Sequence, residues 1–186
     1  MSEQDREHWN ARYAEDEGPL APSPFLLALD QVLPSRGRAL DVAGGTGRHA
    51  LWLARRGLDV TLADVSDVAL FRAERSARAA RLSLETMRID LEASPLPPRT
   101  WDVIVNFYFL HRPLLAALPG ALAPGGFLVV AHPTRSNLAR HARPGPDHLL
   151  EDGELPTLVT DLEIVSYEEG WFESDRHEAR LVARRP

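Results

Sequence analysis

The chain has 186 residues, the size of one domain, and a net charge of −6 that argues against generic nucleic-acid binding. It contains no cysteine, which excludes disulfides, thiolate metal sites and a thiol nucleophile. No stretch is apolar for long enough to span a membrane, and the first residues lack a signal peptide's apolar core, so a cytoplasmic location is expected.

Residues 5–14 are predicted as a short helix or cap, ended by Glu15-Asp16-Glu17-Gly18-Pro19. Its aromatics, Trp9 and Tyr13, point to docking, either on the outer sheet or over a ligand. Residues 24–32 form an amphipathic helix with Phe25, Leu26 and Leu29 on one face. Strand one covers 38–42. A helix over 46–56 follows, and Gly57 stops it. Strand two covers 58–63 and ends at Asp64, and Ser66 caps a helix through 80. Strand three covers 82–89 and ends at Asp90, before a proline-rich loop. Residues 101–107 are the most apolar strand, suited to burial on both faces. His111-Arg112-Pro113 opens a helix through 122, and Pro124-Gly125-Gly126 turns the chain into strand five over 127–131. Residues 132–147 are irregular and rich in Arg, His and Pro. A helix is expected within 149–160, starting near Asp152. Residues 162–167 and 177–183 read as a closing antiparallel pair. Five strand-then-helix units predict an α/β fold with a doubly wound, Rossmann-like sheet.

The chain is organised around Asp41-Val42-Ala43-Gly44-Gly45-Thr46-Gly47-Arg48. Glycines permit a sharp turn and a close backbone approach to a ligand. Gly45-x-Gly47-x-x-Ala50 fits the dinucleotide fingerprint, so a nicotinamide-dependent oxidoreductase is one reading. Acid-x-small-x-Gly-x-Gly across Asp41 to Gly47 fits S-adenosylmethionine. Asp41 favours the second, because a carboxylate at the turn repels a pyrophosphate and suits an ammonium and a sulfonium. A dehydrogenase also needs a substrate domain for which little chain remains.

Ligands of such sheets lie beyond the carboxyl ends of the strands. Asp41, Asp64, Asp90 and Asn106 end the first four. Asp64 suits two ribose hydroxyls. Asp90 suits the exocyclic amine of adenine, with Leu91 over the ring. The carbonyl of Asn106 suits the methionine ammonium.

These motifs, with Leu62-Ala63-Asp64-Val65-Ser66, Trp101-Asp102-Val103-Ile104 and Leu122-Ala123-Pro124-Gly125-Gly126, resemble those of class I S-adenosylmethionine-dependent methyltransferases. The resemblance covers residues 40–130. Trp9-Asn10-Ala11-Arg12-Tyr13 and Tyr167-Glu168-Glu169-Gly170-Trp171 resemble the small tellurite-resistance (TehB-like) methyltransferases. Class membership implies seven strands in the order 3-2-1-4-5-7-6 with the last antiparallel. It implies S-adenosyl-L-methionine as cofactor, held at Asp41, Ala43, Gly44, Gly45, Gly47, Asp64, Val65, Asp90, Leu91 and Asn106. The narrower resemblance implies that Trp9, Arg12 and Tyr13 help close that site. Ala43 departs from the usual glycine, and it fits the turn if its φ stays negative. Residues 1–186 then form one methyltransferase domain. It comprises a helical cap (1–35), a cofactor-binding core (36–131) and a substrate-side loop with the final strand pair (132–186).

Methyl transfer from a sulfonium needs alignment first and a base only if the acceptor arrives protonated. Candidate catalytic residues on the active edge are His111, Arg112, Arg135 and His177. His132, Arg140, His141, Arg143 and Arg176 lie nearby. Arginine forks in this region point to a small anionic or soft-nucleophile acceptor, tellurite-like, selenite-like or thiol-like by resemblance. The seven histidines show no metal-ligand spacing, so no metal is predicted. The expected partner is a small-molecule acceptor, with no nucleic acid and no membrane, and the protein is expected as a monomer or homodimer. A non-catalytic S-adenosylmethionine-binding protein is a further alternative.

Overall fold

The computed structural model describes residues 3–15 and 21–186. Met1, Ser2 and the expected helix stop at 16–19 lie outside the described residues. One seven-stranded sheet forms the centre: β1 (Arg38–Val42), β2 (Asp59–Asp64), β3 (Glu85–Arg88), β4 (Trp101–Phe107), β5 (Leu122–Pro133), β6 (Glu163–Trp171) and β7 (His177–Arg184). Their order is β3-β2-β1-β4-β5-β7-β6, with β7 antiparallel to both neighbours. This is the order implied by the methyltransferase resemblance. Helices α1 (Glu3–Glu15), α2 (Pro24–Leu27), α3 (Arg48–Arg55), α4 (Asp67–Ala79) and α5 (Arg112–Ala121) complete it.

Strand alternation divides the core in two. Leu40, Val42, Ile104, Leu128 and Val130 pack with Leu115 and Leu118 of α5 on one face. Ala39, Val103, Val105, Val129 and Ala131 pack with Ala50 and Leu53 of α3 on the other. Both faces of the central strands are covered, which is why 101–107 is apolar almost throughout.

Several boundaries differ from those read in the sequence. The helix expected over 24–32 keeps one α-turn, because residues 28–33 mix i−3 and i−4 hydrogen bonds ahead of Pro34. Strand three is shorter than expected, so Asp90 lies two residues past its end. No α-helix forms within 149–160. Leu150 is held extended by backbone hydrogen bonds with Pro133 and Arg135, Gly153 has φ +79, and Pro156 lacks a donor. Only a 3-10 turn, Leu155–Leu158, remains there. Residues 124–126 bulge within β5, between the Trp101–Leu122 and Val103–Phe127 pairs, instead of preceding it. Strand β6 runs on to Trp171, so the last link is only 172–176.

Ser66 acts as the expected cap: its Oγ accepts the N–H of Ala69 at 3.1 Å. The same hydroxyl donates to Asn10 Oδ1 at 2.7 Å, which ties α1 to the start of α4. Ser66→Ala removes both interactions. It is expected to cost about 1 kcal/mol and to lower Tm by roughly 2–4 °C in thermal unfolding.

Candidate functional site: the glycine turn and the edge beyond it

Two buried carboxylates hold the glycine turn. Asp41 Oδ2 accepts the Ala50 N–H at 2.9 Å, pinning the first turn of α3 to β1. Asp64 Oδ2 accepts the Gly45 N–H at 2.8 Å and its Oδ1 accepts the Ser66 N–H at 2.9 Å, so the ends of β1 and β2 are locked together. Burial lifts the Asp41 carboxyl to about 7, opposed by the Ala50 N–H and by Arg48. Burial likewise raises Asp64, against the hydrogen bonds from Ser66 and Gly45.

Gly45 and Gly47 take positive φ, and a Cβ at Gly44 would collide with Leu62 and the Asp41 carboxylate. Ala43 also lies at positive φ (+50), so the condition of a negative φ is not met. The turn demands a left-handed residue there whatever the side chain, and the locked carboxylates enforce it.

The residues present fit S-adenosylmethionine on three observations. First, Asp41 Oδ1 and both amide atoms of Asn106 are buried without a hydrogen-bond partner among the described residues. Such orphaned groups are costly unless a ligand meets them. Second, a cavity of about 250 Å³ opens beyond β2 and β3, lined by Val65, Ile89, Asp90, Ser94 and, from α1, Glu3 and Arg6. Third, α1 lies over the turn, with the Tyr13 hydroxyl against Gly45. Trp9 stacks on Tyr13 at 5.7 Å, and the Arg12 guanidinium lies 5.1 Å from the Trp9 ring.

Asp90 Oδ1 accepts the N–H groups of Glu92 and Ala93, shaping its own turn. Leu91 is fully buried; with His111 it lines a separate cavity of about 530 Å³ beside α5. Sequence reasoning passed over Asn10, Arg6 and Ile89, since their roles depend on where α1 docks and where β3 ends.

On the acceptor side, Arg112, Arg135 and Arg140 have acidic partners. Arg112 grips Glu154 with a two-pronged ion pair and also reaches the Leu149 carbonyl. Arg135 pairs with Glu151 at 2.7 Å and Arg140 with Asp175 at 3.1 Å. His132 is buried, and its Nε2–H donates to the His148 carbonyl at 3.0 Å. Burial holds it neutral, down at about 4. His177 opens β7, with Nδ1 2.7 Å from Thr134 Oγ1.

Two guanidinia differ. Arg48 lies 5.7 Å and Arg176 5.1 Å from the centre of the Tyr108 ring. Neither has an ion-pair partner among the described residues. Tyr108 follows β4 at φ +65, a costly conformation for a bulky residue. Its hydroxyl donates to Oε1 of the fully buried Glu178 at 2.9 Å, and Arg180 neutralises that carboxylate at 3.0 Å.

A parallel sheet closed by one antiparallel strand, with a glycine turn between acidic strand ends, defines a nucleoside-binding α/β enzyme fold. Residues 39–126 match the family model for a methyltransferase domain, which supports the resemblance to class I S-adenosylmethionine-dependent methyltransferases. It is 28% identical over 141 residues to the tRNA 5-carboxymethoxyuridine methyltransferase of Escherichia coli, covering 69% of this chain and 54% of that one. The chain thus spans about half the length of the curated relatives it matches. Among solved structures, TehB from Haemophilus influenzae superposes with a TM-score of 0.74 at 18% identity, over 97% of this chain and 67% of that one. The N-methyltransferase NodS from Bradyrhizobium japonicum, in complex with S-adenosylhomocysteine, gives 0.73 at 22%, over 97% and 98%. The match to a methyltransferase domain supports S-adenosylmethionine over the nicotinamide reading. No helix among the described residues is long and apolar enough to cross a membrane.

Two outcomes follow from the turn. Ala43→Gly relieves the left-handed alanine and is expected to stabilise by about 1 kcal/mol, read as a Tm increase of roughly 2–4 °C. Asp41 keeps its proton up to about pH 7 in the fold, whereas the unfolded chain ionises it near ~3.9. Its contribution to stability is therefore complete at low pH, falls as pH rises between those values and is level above. In chemical denaturation across this range, Asp41→Asn is expected to flatten that fall.

Proposed function

We propose that the chain transfers the methyl group of S-adenosylmethionine to a small acceptor bearing an anionic group, held between Arg48 and Arg176 over Tyr108. The observation that carries this reading is the convergence of two guanidinia without acidic partners on one strained tyrosine at the end of β4. Arg48 follows the glycine turn directly, so an anion gripped there lies beside the cofactor.

When bound, the cofactor supplies an electrophilic methyl on a positively charged sulfur. Asp41 and Asn106 offer the acceptor atoms for its methionine end, and Asp64 those for the ribose. The space between Val65 and Asp90 takes the adenine, and Tyr13 with Trp9 and Arg12 closes the site. The chain's own work is alignment, which contributes roughly 7–11 kcal/mol in well-oriented reactions. Arg48 and Arg176 orient the acceptor through charge-assisted hydrogen bonds. Glu178 fixes the Tyr108 ring between them. His132, buried and neutral, is no proton acceptor for this step; an acceptor already ionised needs none.

The relative from Escherichia coli is named for a carboxymethoxy-bearing nucleoside of tRNA, which accords with an anionic acceptor group. Free small acids and nucleosides thus both belong in the test. S-adenosylhomocysteine is expected to bind by titration calorimetry, with affinity cut at least ~10-fold in Asp64→Asn, where one charged hydrogen-bond acceptor is lost. With radiolabelled cofactor and matched pairs of acids and amides, the acids are expected to be methylated selectively. Arg48→Gln and Arg176→Gln are expected to raise the acceptor KM by ~10–100-fold with cofactor affinity little changed. Equal turnover of acids and amides would refute the anion clamp. Cofactor binding without any methyl transfer would favour a non-catalytic binding protein.

A further inference from the structure

The same edge of the sheet also brings together Asp152, Glu169 and His177. One ligand atom of each lies within 4.8 Å of the others. They come from three places: the loop after β5, the end of β6 and the start of β7. We propose that these three side chains form a binding site for a divalent first-row transition ion such as Zn²⁺.

Charge is the first argument. Around this loop, acids are matched to arginines: Glu151 to Arg135, Glu154 to Arg112 and Asp175 to Arg140. Asp152 and Glu169 have no guanidinium partner among the described residues, yet they sit close together. Two carboxylates at that spacing repel each other, and the hydrogen bonds they accept, Asp152 from Ser136 and Glu169 from the Gly153 N–H, orient them without supplying a counter-charge. The neighbouring Tyr167 hydroxyl donates to Glu169.

The histidine is the second argument. Thr134 Oγ1 lies 2.7 Å from His177 Nδ1, and in the tautomer that donates to this oxygen Nδ1 carries the proton. That leaves the lone pair on Nε2. A ring whose other nitrogen donates to a fixed oxygen is the arrangement that orients histidine ligands. Thr134 is fully buried and cannot swing away. One nitrogen and two carboxylates favour a borderline ion over Mg²⁺ or Ca²⁺, which prefer all-oxygen shells. With bonds of about 2.0–2.2 Å, tetrahedral zinc places its ligand atoms about 3.4 Å apart. The exposed Asp152 and the half-buried Glu169 can draw in to that distance by changing rotamer.

The ligands are remote in sequence, so no spacing motif reveals them. The site adjoins the proposed acceptor clamp at the start of β7 but uses none of its side chains, and zinc uptake is read without methyl transfer, so either can fail alone.

Titration calorimetry of the full chain with ZnCl₂ tests the proposal. One ion per chain is expected, at micromolar affinity. Glu169→Gln and His177→Gln are each expected to weaken binding at least ~10-fold, and Thr134→Val by ~10–100-fold, the range for partners that orient a ligand. Near-native Tm of the zinc-free variants confirms that each is folded; Glu169→Gln, a partly exposed change, serves where His177→Gln is not. Absence of zinc uptake overturns the proposal. So does uptake that Glu169→Gln and Asp152→Asn leave unchanged, which would place the ion elsewhere. Equal affinity for MgCl₂ would overturn the assignment to a nitrogen-seeking metal.

Discussion

The hydrogen bonds from Ala50 N–H to Asp41 and from Gly45 N–H to Asp64 carry the architecture of the cofactor end. Each takes a carboxylate out of water, at a cost that burial of an unpaired charge would make prohibitive. Each offsets that cost with backbone donors that the turn and the start of α3 must satisfy in any case. The positive φ of Ala43, Gly45 and Gly47 follows: the chain between the two acids has no other path from β1 into α3. One oxygen of Asp41 and the amide of Asn106 are then left buried without partners. A ligand offering a positive charge and hydrogen-bond donors is what such a site is complementary to.

The sheet's last strand has a comparable influence on the other side. Because β7 runs antiparallel, its first residues, His177 and Glu178, arrive at the edge where the parallel strands end. The hairpin before it carries Arg176 to the same edge. A parallel seventh strand would send all three to the far side of the molecule. The closing strand thus supplies the buried carboxylate behind Tyr108, one of the two unpaired guanidinia and a ring nitrogen near Asp152 and Glu169.

How much was legible in the sequence depends on how local the cause was. The glycine turn, Asp41 and Asp64 at the ends of the first two strands, the Ser66 cap and the apolar β4 are written in contiguous residues, and the structure places them where the pattern does. The sheet order came only through the family resemblance. The helix expected within 149–160 was misread because its apolar residues have helical spacing, while the competing cause, pairing of Leu150 with Pro133 and Arg135, is invisible along the chain. The conformation of Ala43 was left conditional in the sequence because the turn, not alanine's own preference, decides it. Arginines look alike in sequence. Only the fold shows that Arg112, Arg135 and Arg140 are committed to Glu154, Glu151 and Asp175 while Arg48 and Arg176 are not.

That difference bears on how an acidic protein would select the anionic acceptor proposed above. With a net charge of −6, the long-range field repels such an acceptor rather than steering it in. Paired arginines add little, because each is cancelled by its own carboxylate within contact distance. Selection must then be a short-range matter, resting on forks free to form two hydrogen bonds at once. Tyr108 holds its two guanidinia through ring faces and not through acids, so their donors stay available. The strain at its backbone is consistent with that use, since a relaxed residue there would leave Arg48 and Arg176 without the common surface on which they meet.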